Sequence, residues 1–180
     1  MATSPLALGE TLITGESIHR RVVELAAEID RAYSGAVQPV VLVCVLTGAL
    51  IFTADLVRAL HMPMEIDCIA VRSYGGGTDS PGEVELVKDV DTPLRDRDVL
   101  IVEDIVDSGH TVAFLMDHLK RMEPRSLRVV ALLDKPARRA RTVSIDWRGF
   151  DIPDRFVVGY GLDHDGRHRN LPDIRVLDGA

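Results

Sequence analysis

The sequence predicts an α/β protein built on a central, mostly parallel sheet flanked by helices. Three observations carry that prediction. Residues 40–46 (V-V-L-V-C-V-L), 99–102 (V-L-I-V) and 127–133 (L-R-V-V-A-L-L) are apolar runs of the kind found in strands covered on both faces. After two of them, a short glycine-containing turn opens a stretch with helical periodicity. The chain has 180 residues, which suits a single domain with a full core.

Composition narrows the function classes. At 46% hydrophobic and 27% charged, this is an ordinary globular composition. The net charge of -7, with both signs interspersed, argues against bulk nucleic-acid binding, which needs a basic face. No apolar run approaches the roughly 20 residues of a membrane span, and the first ten residues lack the basic start and apolar core of a secretory signal. The two cysteines, Cys44 and Cys68, lie in strand-like runs and read as reduced core thiols of a cytoplasmic protein.

Taken in order, residues 1–12 show no strong pattern and read as a loose arm. Thr14 is a suitable N-cap for a helix on which Ile18, Val22, Leu25, Ile29 and Tyr33 share one face, with Glu16 in the first turn where the dipole favours it. Ser34 and Gly35 stop that helix, and residues 40–46 form the first central strand. Thr47 and Gly48 then turn into a helix whose face is Leu50, Ala54, Val57 and Leu60. Residues 65–72 alternate as a strand with Ile66, Cys68 and Ala70 on one side, and Val84, Leu86, Lys88 and Val90 alternate in another. The glycine-rich S-Y-G-G-G-T-D-S-P-G at 73–82 joins the two as a flexible hairpin connection.

Residues 99–102 lead through Glu103, Asp104 and Asp107 to Ser108, Gly109, His110 and Thr111, a tight turn opening a helix. Val112, Leu115, Met116, Leu119 and Met122 give that helix its apolar face, and Pro124 closes it. The strand at 127–133 ends in D-K-P. Residues 137–142 form a basic loop, read as solvated or interface surface, and residues 143–147 read as a short strand. By composition alone, Phe156, Val157 and Val158 are edge-strand core.

Chemistry concentrates at 99–111. Ligands of open α/β sheets collect at the carboxyl ends of strands. The hydroxyls, glycine and free N–H groups of residues 108–111 suit a phosphate at a helix start. Glu103 and Asp104 would repel that phosphate, so they face sugar hydroxyls, a divalent cation, or both. A sugar phosphate satisfies both halves. By residue type alone Lys135 would be exposed, yet it stands on the same sheet edge as the acids.

The string V-L-I-V-E-D-I-V-D-S-G-H-T resembles the 5-phosphoribosyl diphosphate (PRPP) motif of the type I phosphoribosyltransferases, in the form found in the hypoxanthine-guanine branch. The resemblance runs from about residue 13 to residue 177. It implies the fold of that family, with a small hood over the carboxyl ends of the strands, contributed by residues 149–180, and a mobile lid at 73–82 rooted in Ser73 and Tyr74. It further implies transfer of phosphoribose from PRPP to a 6-oxopurine, with Mg²⁺ as cofactor. Glu103 and Asp104 would hold the ribose hydroxyls and a metal, and Asp107 would serve as the general base. Ser108, Gly109, His110 and Thr111 would hold the phosphate, and Thr47, Gly48 and Arg169 the pyrophosphate. Lys135 would bind the exocyclic oxygen of the purine, Phe156 would stack on it, and the Val157 backbone would read its edge. Asp163 would hold a second metal beside the base.

Two positions depart from the family pattern. Thr47 stands where the family often has lysine or arginine, and His164 where tyrosine commonly follows the aspartate. His164 and His168 lie in a polar loop and read as surface residues. Dimers or tetramers are common in the family, so a homo-oligomer is expected. Some type I relatives bind RNA and sense nucleotides; here only the basic stretch Arg138, Arg139 and Arg141 invites that second reading.

Overall fold

The computed structural model describes residues 7–74 and 83–179. In chain order the elements are β1 (Ala7–Ile13), α1 (Gly15–Ala32), β2 (Val40–Leu46), α2 (Leu50–Ala59), β3 (Met64–Tyr74), β4 (Glu83–Lys88), β5 (Asp98–Val106), α3 (His110–Lys120), β6 (Ser126–Asp134), β7 (Trp147–Asp151), β8 (Val157–Val158) and β9 (Ile174–Asp178), with a 3₁₀ turn at Pro136–Arg138. Six strands form the main sheet in the order β4-β3-β2-β5-β6-β7, all parallel except β4. The sheet is therefore the mostly parallel one that the sequence predicts.

Strand alternation divides the core. Leu42, Leu100, Val102, Val130 and Leu132 face α1 and α2, meeting Ile18, Leu25, Ile29, Phe52 and Leu56. Val41, Val43, Ile101, Val129 and Ala131 face the other way, against Val112, Leu115 and Leu119 of α3. Two-sided burial is why β2, β5 and β6 read as unbroken apolar runs. Thr14 caps α1 as expected, its side chain accepting from the Ser17 N–H. Cys44 and Cys68 are register partners in β2 and β3, and both are free thiols.

A second, antiparallel sheet has the order β1-β9-β8. It corrects the expected arm at its end, because residues 7–12 pair with the C-terminal strand. Only Ile13 of β1 is buried, so no apolar alternation marks the segment; its partner, distant in sequence, makes it a strand.

Four other local expectations change. The core face of α2 is Phe52, Thr53 and Leu56, continued by Leu60, while Leu50 is half exposed. In β3 the buried side is Asp67 and Ile69, and Ile66 is exposed, because the helices on that face lie over β2, β5 and β7. The strand expected at 143–147 instead begins at Trp147; before it, Asp146 already holds β6 through its carboxylate and backbone, both bonded to Val129 at 2.9 Å. Strand β5 runs on to Val106, so Glu103 and Asp104 are strand residues rather than loop residues. The hairpin does form, with Tyr74 opposite Glu83, but the expected lid at 75–82 lies outside the described residues.

Candidate active site

The turn between β5 and α3 is built for close approach. Gly109 caps α3 in the left-handed region at φ 87°, where a side chain is costly, and a Cβ there would lie 2.8 Å from the Arg141 carbonyl oxygen. The N–H groups of Ala140 and Arg141 both donate to the Ser108 carbonyl at 3.0 Å, and Arg139 donates to that of Asp107 at 3.1 Å. The turn is thereby clamped from behind while its front, with Ser108, Gly109 and Thr111, lines a cavity of about 400 Å³. His110 starts the helix; its ring sits 3.0 Å from the Ser108 hydroxyl and outside the cavity lining.

Glu103 and Asp104 open into the same cavity. Glu103 is buried; one oxygen accepts from the Asp104 N–H at 3.2 Å, and the other has no hydrogen-bond partner in the protein. Burial first, and then the adjacent Asp104 charge, pushes the Glu103 carboxyl well above the usual range. Burial raises Asp104 too, against the pull of an N–H from Ile105 and the charge of Arg169. Two acids held together in this way have an unmet demand for positive charge.

Asp104 also touches the turn between β2 and α2. A Cβ on Gly48 would fall 1.7 Å from the Asp104 carboxylate, so any side chain there would have to displace the turn or the acid. The Leu46–Thr47 peptide that enters this turn is cis. Gly161, at φ 103°, presses on the turn from the other side, its absent Cβ 2.1 Å from the Gly48 oxygen. Arg169 donates to the Gly161 carbonyl at 2.5 Å and pairs with Asp163 at 2.7 Å, and Asp163 accepts from the Gly166 N–H at 2.7 Å. Thr47, Gly48, Asp104, Asp163 and Arg169 thus converge, although they come from three separate stretches of sequence.

A larger cavity of about 740 Å³ lies between the carboxyl ends of β5 and β6 and the small sheet. Asp104, Asp107, Lys135, Phe156, Val157 and Asp163 are among the residues that line it. Lys135 is 4% exposed, not the surface lysine its residue type suggests, and its Nζ lies 3.2 Å from Asp107. Phe156 is 42% exposed, with its ring edge-on to His164 at 5.4 Å. An exposed aromatic face, a buried ammonium and a carboxylate around one cavity suit a flat, polar-edged heterocycle.

A model of the phosphoribosyl transferase domain matches residues 10–165 of this chain. The chain belongs to the phosphoribosyltransferase family. Among curated relatives it is 48% identical to the hypoxanthine-guanine phosphoribosyltransferase of Mycobacterium avium, over 97% of this chain and 88% of that one. It is 44% identical to the Bacillus subtilis protein of the same name, over 95% and 94%. Among solved structures, the hypoxanthine-guanine phosphoribosyltransferase of Bacillus anthracis, with HEPES in its active site, superposes with a TM-score of 0.90 at 42% identity, covering 95% of this chain and 99% of that one. A ternary substrates complex of the Trypanosoma cruzi hypoxanthine enzyme gives 0.89 at 41% identity, covering 96% of each chain.

Sequence reasoning missed one part of this phosphoribosyltransferase's site. Arg138, read as surface, lines both cavities and reaches the second oxygen of Asp107 at 3.1 Å, with Asp154 at 3.4 Å. Arg139 pairs with the buried Asp134. Arg138 and Arg139 of the stretch that invited an RNA-binding reading are thus paired with acids, although Arg138 and Arg141 stay exposed. The position of Arg138 three residues after Lys135 was the available signal. Ser73 and Tyr74 end β3 at the root of the hairpin, and the structure describes only their backbone.

Proposed function

We propose that this chain transfers the 5-phosphoribosyl group of PRPP to N9 of hypoxanthine or guanine, giving IMP or GMP and pyrophosphate, in cytoplasmic purine salvage. The observation that carries the reading is Lys135, buried at the end of β6 with its Nζ 3.2 Å from Asp107 and Phe156 on the same cavity. An ammonium donor there accepts a 6-oxo group as partner and rejects a 6-amino group. The names of the relatives point to the same bases.

In the reaction N9 attacks the anomeric carbon as its bond to pyrophosphate oxygen breaks, and the proton on N7 must leave. Asp107 takes that proton forward and returns it in reverse. Lys135 holds the exocyclic oxygen, Phe156 stacks on the base, and the Val157 backbone reads its edge. Ser108, Gly109, His110 and Thr111 hold the 5′-phosphate with hydroxyls and helix-start N–H groups. Glu103 and Asp104 bind the ribose hydroxyls, and Thr47, Gly48 and Arg169 cradle the pyrophosphate. Ser73 and Tyr74 root a lid that excludes water from the electrophilic sugar.

The residues fit Mg²⁺. The unpartnered Glu103 oxygen and the burial-raised Glu103 and Asp104 pair call for a cation, and the Asp163 carboxylate would hold a second. Among the described residues no three ligating side chains cluster. When bound, Mg²⁺ supplies electrophilic assistance to the leaving group. On the family pattern we also infer a homo-oligomer, a dimer or tetramer. No helix among the described residues is long and apolar enough to cross a membrane.

The test is pyrophosphate release with PRPP and Mg²⁺, giving hypoxanthine, guanine, xanthine, adenine and uracil in parallel. Turnover with 6-oxopurines alone is expected. Turnover with uracil, or with adenine at the same rate, would overturn the assignment.

A further inference from the structure

The loop that carries Asp163 and Arg169 is tied down at a point outside both cavities. Its apex is Gly159, Tyr160 and Gly161, all at positive φ: 103°, 50° and 103°. Tyr160 is the unexpected member, because a bulky aromatic residue is rarely held in the left-handed region. It is 7% exposed, and its hydroxyl donates to Asp55 at 2.5 Å. Asp55 lies in α2, the helix that opens directly after the Thr47–Gly48 turn, and its other oxygen pairs with Arg58. The Tyr160 N–H donates to the Leu171 carbonyl at 2.8 Å and the Gly161 N–H to that of Arg169 at 3.0 Å. Both strands of the loop are thus built around this tyrosine.

Besides apolar packing of Tyr160 and Leu162 with Phe52 and Leu56, two polar or backbone contacts join the loop to the pyrophosphate turn and its helix. One is the close approach of Gly161 to the Gly48 carbonyl; the other is the hydrogen bond from Tyr160 to Asp55. The first brings backbones together but has no directional bond. The second supplies one, from a phenol that burial and the Asp55 carboxylate keep protonated as a donor. The purine wall is held separately: Val157 and Val158 pair with Val176 and Arg175 of β9, and the Leu177 N–H donates to the Phe156 carbonyl at 2.9 Å.

We propose that Tyr160 and Asp55 are a positioning pair that sets Arg169 over the Thr47–Gly48 turn, governing affinity for the pyrophosphate end of PRPP more than purine recognition. The proposal rests on the phosphoribosyltransferase reading given above. Neither residue lines either cavity. Both act through the placement of Arg169, which already bridges Gly161 and Asp163.

The experiment compares wild type with Tyr160→Phe, Asp55→Ala, Asp55→Asn and the Tyr160→Phe/Asp55→Ala double variant. It measures KM for PRPP, KM for pyrophosphate in the reverse direction, KM for hypoxanthine, and Tm. Loss of one hydrogen bond to a charged group corresponds to roughly a tenfold effect. Tyr160→Phe and Asp55→Ala should each raise KM for PRPP and pyrophosphate about tenfold, with KM for hypoxanthine within about twofold of wild type. The double variant should be no worse than the poorer single variant, because one bond is broken in all three. Asp55→Asn, which keeps an acceptor, should restore most of the affinity.

A fall in Tm with unchanged KM for PRPP would overturn the proposal and leave the pair structural. An equal rise in all three KM values would overturn it as well. Should the tyrosine variant not fold, the two Asp55 variants decide between the same outcomes. Wild type that fails to use PRPP would sink the underlying reading, whereas wild type that turns over beside indifferent variants would sink only the positioning pair.

Discussion

Asp107 stands between two cations, the Lys135 ammonium at 3.2 Å and the Arg138 guanidinium at 3.1 Å. On the proposed reaction, a purine in this cavity would offer an exocyclic oxygen to the lysine and an N7 proton to the aspartate. Asp107→Asn keeps the shape and loses the proton acceptor. Its kcat should fall by about 10²–10⁴-fold with the Kd for PRPP essentially unchanged, read by steady-state kinetics beside calorimetry. Full turnover would remove Asp107 as the base. Gly48 makes a steric prediction: its Cβ would lie 1.7 Å from an Asp104 oxygen, so Gly48→Ala must displace either the turn or the acid. The expected result is a KM for PRPP raised by tenfold or more, on the scale of a lost charged hydrogen bond, with the far-UV spectrum of wild type. Gly48 was legible in sequence as a turn glycine, and Asp107 as an acid beside a phosphate turn. Arg138 was not, because nothing in R-R-A-R distinguishes a solvated arginine from one folded back on a carboxylate.

At the level of elements, what pattern could reveal was set by burial. β2, β5 and β6 are covered on both faces, so their apolar runs were unambiguous, and Thr14 announced α1 through a local cap that needs no tertiary partner. β1 and the true face of α2 depend on neighbours distant in the chain, and local periodicity carries no record of those. The buried side of β3 was misjudged for the same reason, since it carries an acid: Asp67 accepts N–H bonds from Cys68, Asp91 and Thr92 at 2.7, 2.8 and 2.7 Å. Burial pushes its carboxyl up, but the backbone donors, Thr92 foremost, outweigh burial and hold it below the usual range. A depressed folded-state pKa adds stability that is present above the unfolded value of about 4 and is lost as pH falls through the folded one. Asp67→Asn should therefore cost about 1–3 kcal/mol at pH 7, measured by urea unfolding, and the gap from wild type should narrow below about pH 4. A gap that stayed constant down to pH 3 would show that charge is not the source.

For the molecule as a whole, two sheets meet across one cavity. The parallel sheet delivers Asp104, Asp107 and Lys135 from adjacent strand ends, and the small sheet and its neighbouring loop deliver Phe156, Val157 and Asp163 from the other side. Sequence motifs located each group, but their convergence depends on β5 lying beside β6 and on β9 closing the hood against β1, which no local pattern encodes. The most direct measurement is the ratio of kcat/KM for hypoxanthine to that for adenine, in wild type and in Lys135→Ala, together with the Kd for PRPP. Removing a buried donor matched to the substrate oxygen should collapse the preference for hypoxanthine by about 10²-fold or more, with PRPP affinity within about threefold, the scatter expected of a distant, independent contact. An unchanged ratio, or a loss of PRPP binding as large as the loss of selectivity, would contradict a base cavity read by Lys135.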